Sequence, residues 1–175
     1  MSSEYASTAW RNRDYNDLAW NSGPAILGYG GDRETTVIGY GPDENRKYIT
    51  AWFRRGFAVA DPTRLSNVRL GLLRDDGAAV YLNGQELLRD NLPSGTLTAT
   101  TLASASVGNA DETRYFEFEV SPSRLLAGTN LLAVELHQSS QGSSDTALPT
   151  SGSPPTSRAP PKPESALSAP PRAPA

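Results

Sequence analysis

No cysteine occurs among the 175 residues, and there is a single histidine, His137. The first absence excludes disulfides, thiolate catalysis and cysteine-type zinc sites. The second excludes a histidine-rich metal centre, and it obliges any Ser-His-Asp triad to use His137. No Gly-x-Ser-x-Gly segment accompanies it. No apolar run approaches the ~20 residues of a membrane-spanning helix, and no amphipathic helix of three turns can be traced. The opening Met1-Ser2-Ser3-Glu4-Tyr5 has no basic segment leading into an apolar one, so no signal peptide is read there. Basic residues form no stripe. Residues 1–145 hold 18 acidic and 13 basic side chains. A mildly acidic chain is a poor match for nucleic acid, where neutralising phosphate supplies most of the affinity.

Hydrophobic residues make up 37% of the chain, and the shortfall is local. Nine of the fourteen prolines lie from Pro149 onward, in a stretch without any aromatic residue. The composition therefore divides the chain into a domain at 1–145 and a disordered Pro/Ser/Ala-rich tail at 146–175. Such a tail cannot bury enough apolar surface to offset its ordering entropy.

Within 1–145, short β-type runs alternate with turn signals. Residues 1–30 read as loop with Trp10 and Trp20 as anchors. Runs follow at Thr35–Tyr40, Tyr48–Val59, Asn67–Leu73, Ala79–Leu82 and Gln85–Leu88, then at Leu97–Leu102, Tyr115–Val120 and Leu131–His137. Strict alternation along Tyr48–Val59 sets Arg55 on the face of Phe53 and Phe57, which predicts a bulge or an exposed sheet edge near Arg54-Arg55-Gly56. Asn83-Gly84 is a strong hairpin signal, because a type I′ turn needs two residues that accept positive φ. Residues 67–89 are accordingly expected to form a three-stranded meander. Ser121–Leu126 suits one helical turn. About eight evenly spaced short strands, without long helices, indicate an all-β antiparallel sandwich or jelly roll.

Few residues invite catalysis. Asp75-Asp76 and Asp111-Glu112 are adjacent carboxylates, and neighbours on a strand point to opposite faces, so neither pair is a natural acid/base couple for glycoside cleavage. Turn chemistry explains Asp75-Asp76-Gly77 more simply. Oxygen-rich loops suit hard cations, which makes Asp32, Asp43, Asp75 and Asp76 candidate calcium ligands, with Glu44 and Asn45 as further oxygen donors. None has EF-hand spacing. Gly28-Tyr29-Gly30-Gly31-Asp32 lacks the Gly-Lys-Ser/Thr ending of a phosphate-binding loop. Trp52, Tyr29, Tyr40, Tyr48 and Tyr81 are aromatics that serve either as core or as stacking faces for sugar rings.

Four segments carry a family resemblance: Ser22–Gly30, Lys47–Arg55, Leu73–Gly84 and Ala127–Gln138. Together they resemble the galactose-binding-like jelly-roll modules of large secreted bacterial proteins. Those proteins often also bear phosphoesterase, glycosidase, lamin-tail-like or surface-anchoring regions. Asp75-Asp76-Gly77…Tyr81-Leu82-Asn83-Gly84 and Gly128-Thr129-Asn130-Leu131-Leu132-Ala133-Val134 are also similar to sugar-binding domains that accompany glycosidases. The resemblance spans about residues 8–145. It implies an accessory module rather than an enzyme, extracellular or at the cell surface, that binds carbohydrate or another surface polymer; the alternative is a structural spacer with no ligand of its own. It further implies that Trp52, Arg54, Arg74, Asp75, Asp76, His137 and Gln138 form the ligand patch at the strand ends, and it leaves room for a structural calcium ion. Two departures stand out. Such modules usually begin with a strand before the segment that Trp10 opens, and end with one after the match to Ser143-Ser144-Asp145. The expectation is a fragment or reading-frame product short of an edge strand at each end, prone to pair with other domains or chains.

Overall fold

The structure, a computed structural model, describes residues 7–31, 33–108, 111, 114–148, 150–151 and 167–169, the last two segments by backbone alone. Twelve strands are found among them: β1 Asn21–Gly23, β2 Leu27–Tyr29, β3 Thr36–Val37, β4 Thr50–Val59, β5 Val68–Leu72, β6 Gly77–Leu82, β7 Gln85–Asp90, β8 Phe116–Val120, β9 Gly128–His137, β10 Thr146–Leu148, β11 Thr150–Ser151 and β12 Leu167–Ala169. They form one six-stranded sheet, β1-β12-β4-β9-β6-β7, and two three-stranded sheets, β10-β2-β3 and β11-β5-β8. The chain is all-β, as expected. Every pairing is antiparallel except that of β2 with β3.

The spine is the ten-residue ladder of β4 with β9, running in unbroken register from Thr50↔His137 to Val59↔Gly128. Side chains alternate across it. Phe53, Val134 and Leu136 face the two small sheets and meet Leu27, Leu72 and Leu148 there, in a core completed by Ala78 and Val80. Leu82, Val120 and Leu125 continue that layer at one end. On the opposite face, Trp52, Ala133, Leu131, Ala79 and Tyr81 form a second cluster beneath Trp10 and Trp20, with Tyr15, Leu92, Leu97 and Ala99 against it. The six-stranded sheet is thus buried on both faces: on one side by strands, on the other by irregular chain from residues 9–20 and 92–99.

Several expectations hold. Asn83 and Gly84 have φ of 53° and 87°, as a type I′ hairpin between β6 and β7 requires. Glu117 and Glu119 face water along β8 while Val120 is buried. Pro122–Arg124 makes a single 3₁₀ turn.

Others need correction. There is no bulge at Arg54-Arg55-Gly56 in the β4–β9 ladder; the one irregularity lies between Val80 and Tyr81 in the β6–β7 ladder. The 67–89 meander does not form. β5 pairs with β8 in a different sheet from β6, because the buried Arg74-Asp75-Asp76 segment carries the chain from one layer to the other. Leu97–Leu102 is not a strand: Thr98 and Thr101 bond to each other, and the Ala99 and Thr101 carbonyls accept from side chains of the large sheet. The drop in hydrophobicity after residue 145 does not end the pairing. Thr146–Leu148 pairs with β2, and Leu148 is 2% exposed in the core. β11 and β12 then add to β5 and to β1 and β4. The remainder of the Pro-rich stretch, residue 149 with 152–166 and 170–175, lies outside the described residues.

Leu148→Ala should lower stability by about 2–5 kcal/mol, the range for deleting a fully buried leucine side chain. Urea unfolding of the full chain checks this. An unchanged midpoint would remove β10 from the core.

Candidate functional site

The residues expected at the strand ends are found in the interior. Trp52, Arg54, Arg74, Asp75, Asp76, His137 and Gln138 are between 0% and 8% exposed. They do not form one exposed patch; they divide among three internal arrangements.

The first is centred on Arg54, on the face of β4 opposite Phe53. Its guanidinium reaches into the N-terminal segment. Nε donates to Asp17 Oδ2 at 2.9 Å, Nη1 to the carbonyls of Trp10 and Asn12, and Nη2 to the Tyr15 carbonyl at 3.4 Å. The Tyr15 ring lies 5.0 Å from its carbon centre. A planar fork of five donors suits this gathering of acceptors, which an ammonium could not match. Beside it, Glu135 Oε1 accepts from Tyr81 Oη at 2.6 Å and from Arg11 Nη2 at 3.1 Å. Arg11 also stacks 3.9 Å from the Tyr81 ring centroid. Burial works to raise the Glu135 pKa, but the His137 and Tyr81 side chains and the Arg11 charge outweigh it, and the net shift is downward. Tyr81 is pushed far up, by burial first and then by its bond to Glu135.

His137 sits in the same layer. Its Nδ1 is 2.7 Å from the Thr101 carbonyl, which can only accept, so the proton of this bond belongs to Nδ1. Thr50 Oγ1 is 3.1 Å away and donates to the Ala99 carbonyl. Nε2 lies 3.6 Å from Glu135 Oε2 and has no hydrogen-bond partner. The imidazole is 0% exposed. It pins the 99–101 loop to the sheet and does not face solvent.

The second arrangement is the crossing segment. Asp76 Oδ1 and Oδ2 accept from the backbone N–H groups of Val107 and Ser139, each at 2.6 Å. Arg74 pairs with Asp90 at 2.6 Å and lies 5.0 Å from the Phe116 ring. These contacts explain Asp76 by backbone anchoring, and the Asp75 carbonyl accepts from Thr146 Oγ1 at 3.1 Å. Among the described residues, the candidate calcium ligands form no cluster of three. Asp76 is committed to two amides, Asp43 caps the Asn45 amide at the surface, and Asp32 lies outside the described residues. Among the described residues no three acidic or histidine side chains converge on one point. Asp111 is exposed beside Arg114, and Glu112 lies outside the described residues.

The third arrangement, at Gln138, reaches the surface. Tyr29, Tyr40, Tyr48, Thr50, Gln138 and Thr146 line a narrow crevice with about 10 Å³ of room. Gln138 Nε2 donates to Tyr29 Oη and, at 3.4 Å, to the Asp145 carbonyl, while its Oε1 is buried without a partner. Tyr40 packs edge-on against Tyr29 at 5.4 Å and is 38% exposed. Burial pushes the Tyr29 phenol up to about 12, against the lowering effect of its Gln138 bond. Sequence reasoning named these tyrosines as core or stacking aromatics without bringing them together; Thr146 of β10, past the point where the composition changes, completes the lining.

No family model matches the chain, and no curated protein matches it. Solved structures offer low similarity. An α-L-rhamnosidase of Streptomyces avermitilis, complexed with L-rhamnose, is 23% identical over 63% of this chain and 9% of its own, with a TM-score of 0.40. An α-L-rhamnosidase of Dictyoglumus thermophilum is 18% identical over 73% of this chain and 12% of its own, with a TM-score of 0.35. The chain therefore spans about a tenth of the length of either enzyme. At these scores neither similarity fixes topology or ligand.

Arg54→Leu should cost about 3–5 kcal/mol, because it leaves Asp17 and three carbonyls without their buried donor. Denaturant unfolding measures the loss, and hydrogen exchange should show residues 10–17 opening first. Alkali gives a second test. A phenol whose folded pKa is raised contributes stability that is complete below the unfolded value near 10 and is lost as pH climbs through the folded value. For Tyr29 that window runs from about 10 to about 12. Tyr29→Phe should flatten the fall in melting temperature across it, and an unchanged slope would place the alkaline loss elsewhere.

Proposed function

We propose that the chain is a non-catalytic accessory module, with the galactose-binding-like jelly-roll architecture its motifs resemble, acting outside the cell within or beside a larger carbohydrate-related protein. The observation that supports this reading is the commitment of its polar side chains. Arg54, Asp76, Glu135 and His137 are each engaged in holding the chain's own segments to the sheet. A catalytic acid or base has to reach substrate, directly or through one water. The His137–Glu135 pair is closed in by the 99–101 loop and by Trp10-Arg11. An acidic domain without a basic stripe suits neither nucleic acid nor an anionic membrane surface, and no helix among the described residues is long and apolar enough to cross a membrane.

Two forms of the module remain, a packing spacer and a carbohydrate binder. The buried state of Trp52 and its neighbours favours the spacer. The exposed ring of Tyr40, with the Lys47 ammonium 6.0 Å from its centroid, favours binding.

Cooperative thermal unfolding of the full chain, followed by a glycan array and a panel of aryl glycosides and esters, tests the reading. The expected result is a cooperative transition with no turnover. Turnover abolished by His137→Gln would overturn it. Trp52→Ala should lower stability by about 3–5 kcal/mol, as for other buried aromatics. Loss of glycan binding at full stability would instead restore Trp52 as a stacking platform.

A further inference from the structure

We propose that the gap between β1 and β4 is a strand-acceptor site, and that it takes the Leu167–Ala169 strand of a second copy of this chain in exchange for its own. The inference is independent of whether the module binds carbohydrate or serves as a spacer. It starts from the strand order β1-β12-β4. β12 is antiparallel to both neighbours: Asn21, Ser22 and Gly23 of β1 pair with Ala169, Ser168 and Leu167, and Arg54 of β4 pairs with Ser168. The two walls are held by other parts of the molecule. β4 is fixed by its ladder with β9, from Thr50↔His137 to Val59↔Gly128. β1 is fixed on one side by the buried Trp20. On the other it is fixed by the Pro24 carbonyl, which accepts from Thr36 Oγ1 at 2.7 Å, and by Leu27 in the core. A gap one strand wide between two fixed walls offers backbone donors and acceptors to an extended segment, as a sheet edge does to a peptide.

The length of the connection points to a second copy as the donor. Fifteen residues, 152–166, separate β11 from β12. β11 belongs to the small sheet of β5 and β8, and β12 to the six-stranded sheet. Between β5 and β6 the chain passes between those same two sheets in four residues, Leu73–Asp76. The connection to β12 is therefore far longer than a crossing within one domain requires. At about 3.4 Å per residue it reaches up to ~50 Å, against roughly 40 Å between the centres of two touching domains of this size. Five of the fifteen residues are proline, and proline stiffens and extends a connection, which disfavours doubling back. The contacts of β12 are the same in either copy, so the connection alone decides between them. Exchange is reciprocal: it fills both gaps and closes a two-fold dimer with no strand left over.

The chain has no cysteine, so a disulfide placed across the gap reports the pairing without interference. Ser22, at an exposed position, stands directly opposite Ser168, and the ~5 Å between Cβ atoms of such a pair is close to what a disulfide needs. Full-length Ser22→Cys and isotope-labelled full-length Ser168→Cys are unfolded, refolded together and oxidised, and the linked products are identified by mass. The mixed 22–168 disulfide should exceed the symmetrical 22–22 and 168–168 products by at least about tenfold, as docking gives and random collision does not. The double variant Ser22→Cys/Ser168→Cys should give covalent dimers. By light scattering the unmodified chain should be a dimer and Ser168→Pro a monomer, because proline has no N–H to donate and is not accommodated between two strands. A double variant that closes its disulfide within one chain, with no excess of the mixed product from the single variants, would overturn the exchange and leave β12 with its own domain. No disulfide of either kind would overturn the acceptor site as well. A dimer indifferent to Ser168→Pro would place the contact between copies elsewhere.

Discussion

The burial of one guanidinium organises this domain. Arg54 lies at the middle of β4, on the face turned away from the sandwich core, and is 3% exposed. Taking a cation out of water costs several kcal/mol, so the position is tenable only if every direction of the fork meets an acceptor. The N-terminal segment supplies them: Asp17 and the carbonyls of Trp10, Asn12 and Tyr15. These bonds fix where that segment lies. Trp10 then meets the Tyr81 ring edge-on at 5.8 Å, and Arg11 is carried to Glu135. Tyr81 and Glu135 close the circuit on β6 and β9. Without such a centre, residues 9–20, which contain no regular element longer than three residues, would have little reason to prefer one path across the sheet.

This circuit explains why the face it covers was the least legible part of the sequence. Alternation along β9 separates Leu132, Val134 and Leu136 from Ala133, Glu135 and His137, as the ladder bears out, but it does not say what lies against the second set. Both sides are buried, the second by chain with no periodicity. Irregular cover leaves no hydrophobic pattern to read; its only signals were Trp10 and Trp20, and these served as anchors without revealing what they cover. The same reasoning applies to Leu97–Leu102. Its threonines suggested a strand, but its carbonyls are taken by Thr50 and His137 side chains instead of a ladder.

What local chemistry dictates was legible. Asn83-Gly84 can hardly do anything but turn a hairpin, and Phe116–Val120 alternates because one side meets water. What depends on distant partners was not. The Asp75-Asp76 pair belongs to a layer crossing, and the Asp76 carboxylate is claimed by amides 31 and 63 residues further on. No local pattern announces such a partner, so the meander that contiguity suggested gave way to a crossing between sheets. Leu148 was hidden differently. A three-residue strand inside a proline-rich composition is invisible to any average over a window, yet it completes the core beside Leu27.

The same constraint bears on the residues expected to form a ligand patch at the strand ends. A buried polar group that is fully bonded has no capacity left for a ligand, however suggestive its residue type. Arg54, Asp76 and Glu135 are in that condition, and each would have to break an internal bond before it could hold anything else. Gln138 differs. It is nearly as buried, and its Oε1 goes without a donor. An unmet acceptor in the interior costs about 1–3 kcal/mol unless something enters to meet it. The domain carries such unmet groups at Gln138 Oε1 and, in and beneath the N-terminal segment, at Arg11 Nε, Trp20 Nε1 and His137 Nε2, so the covering of this sheet face is tolerated at a cost and not by perfect pairing.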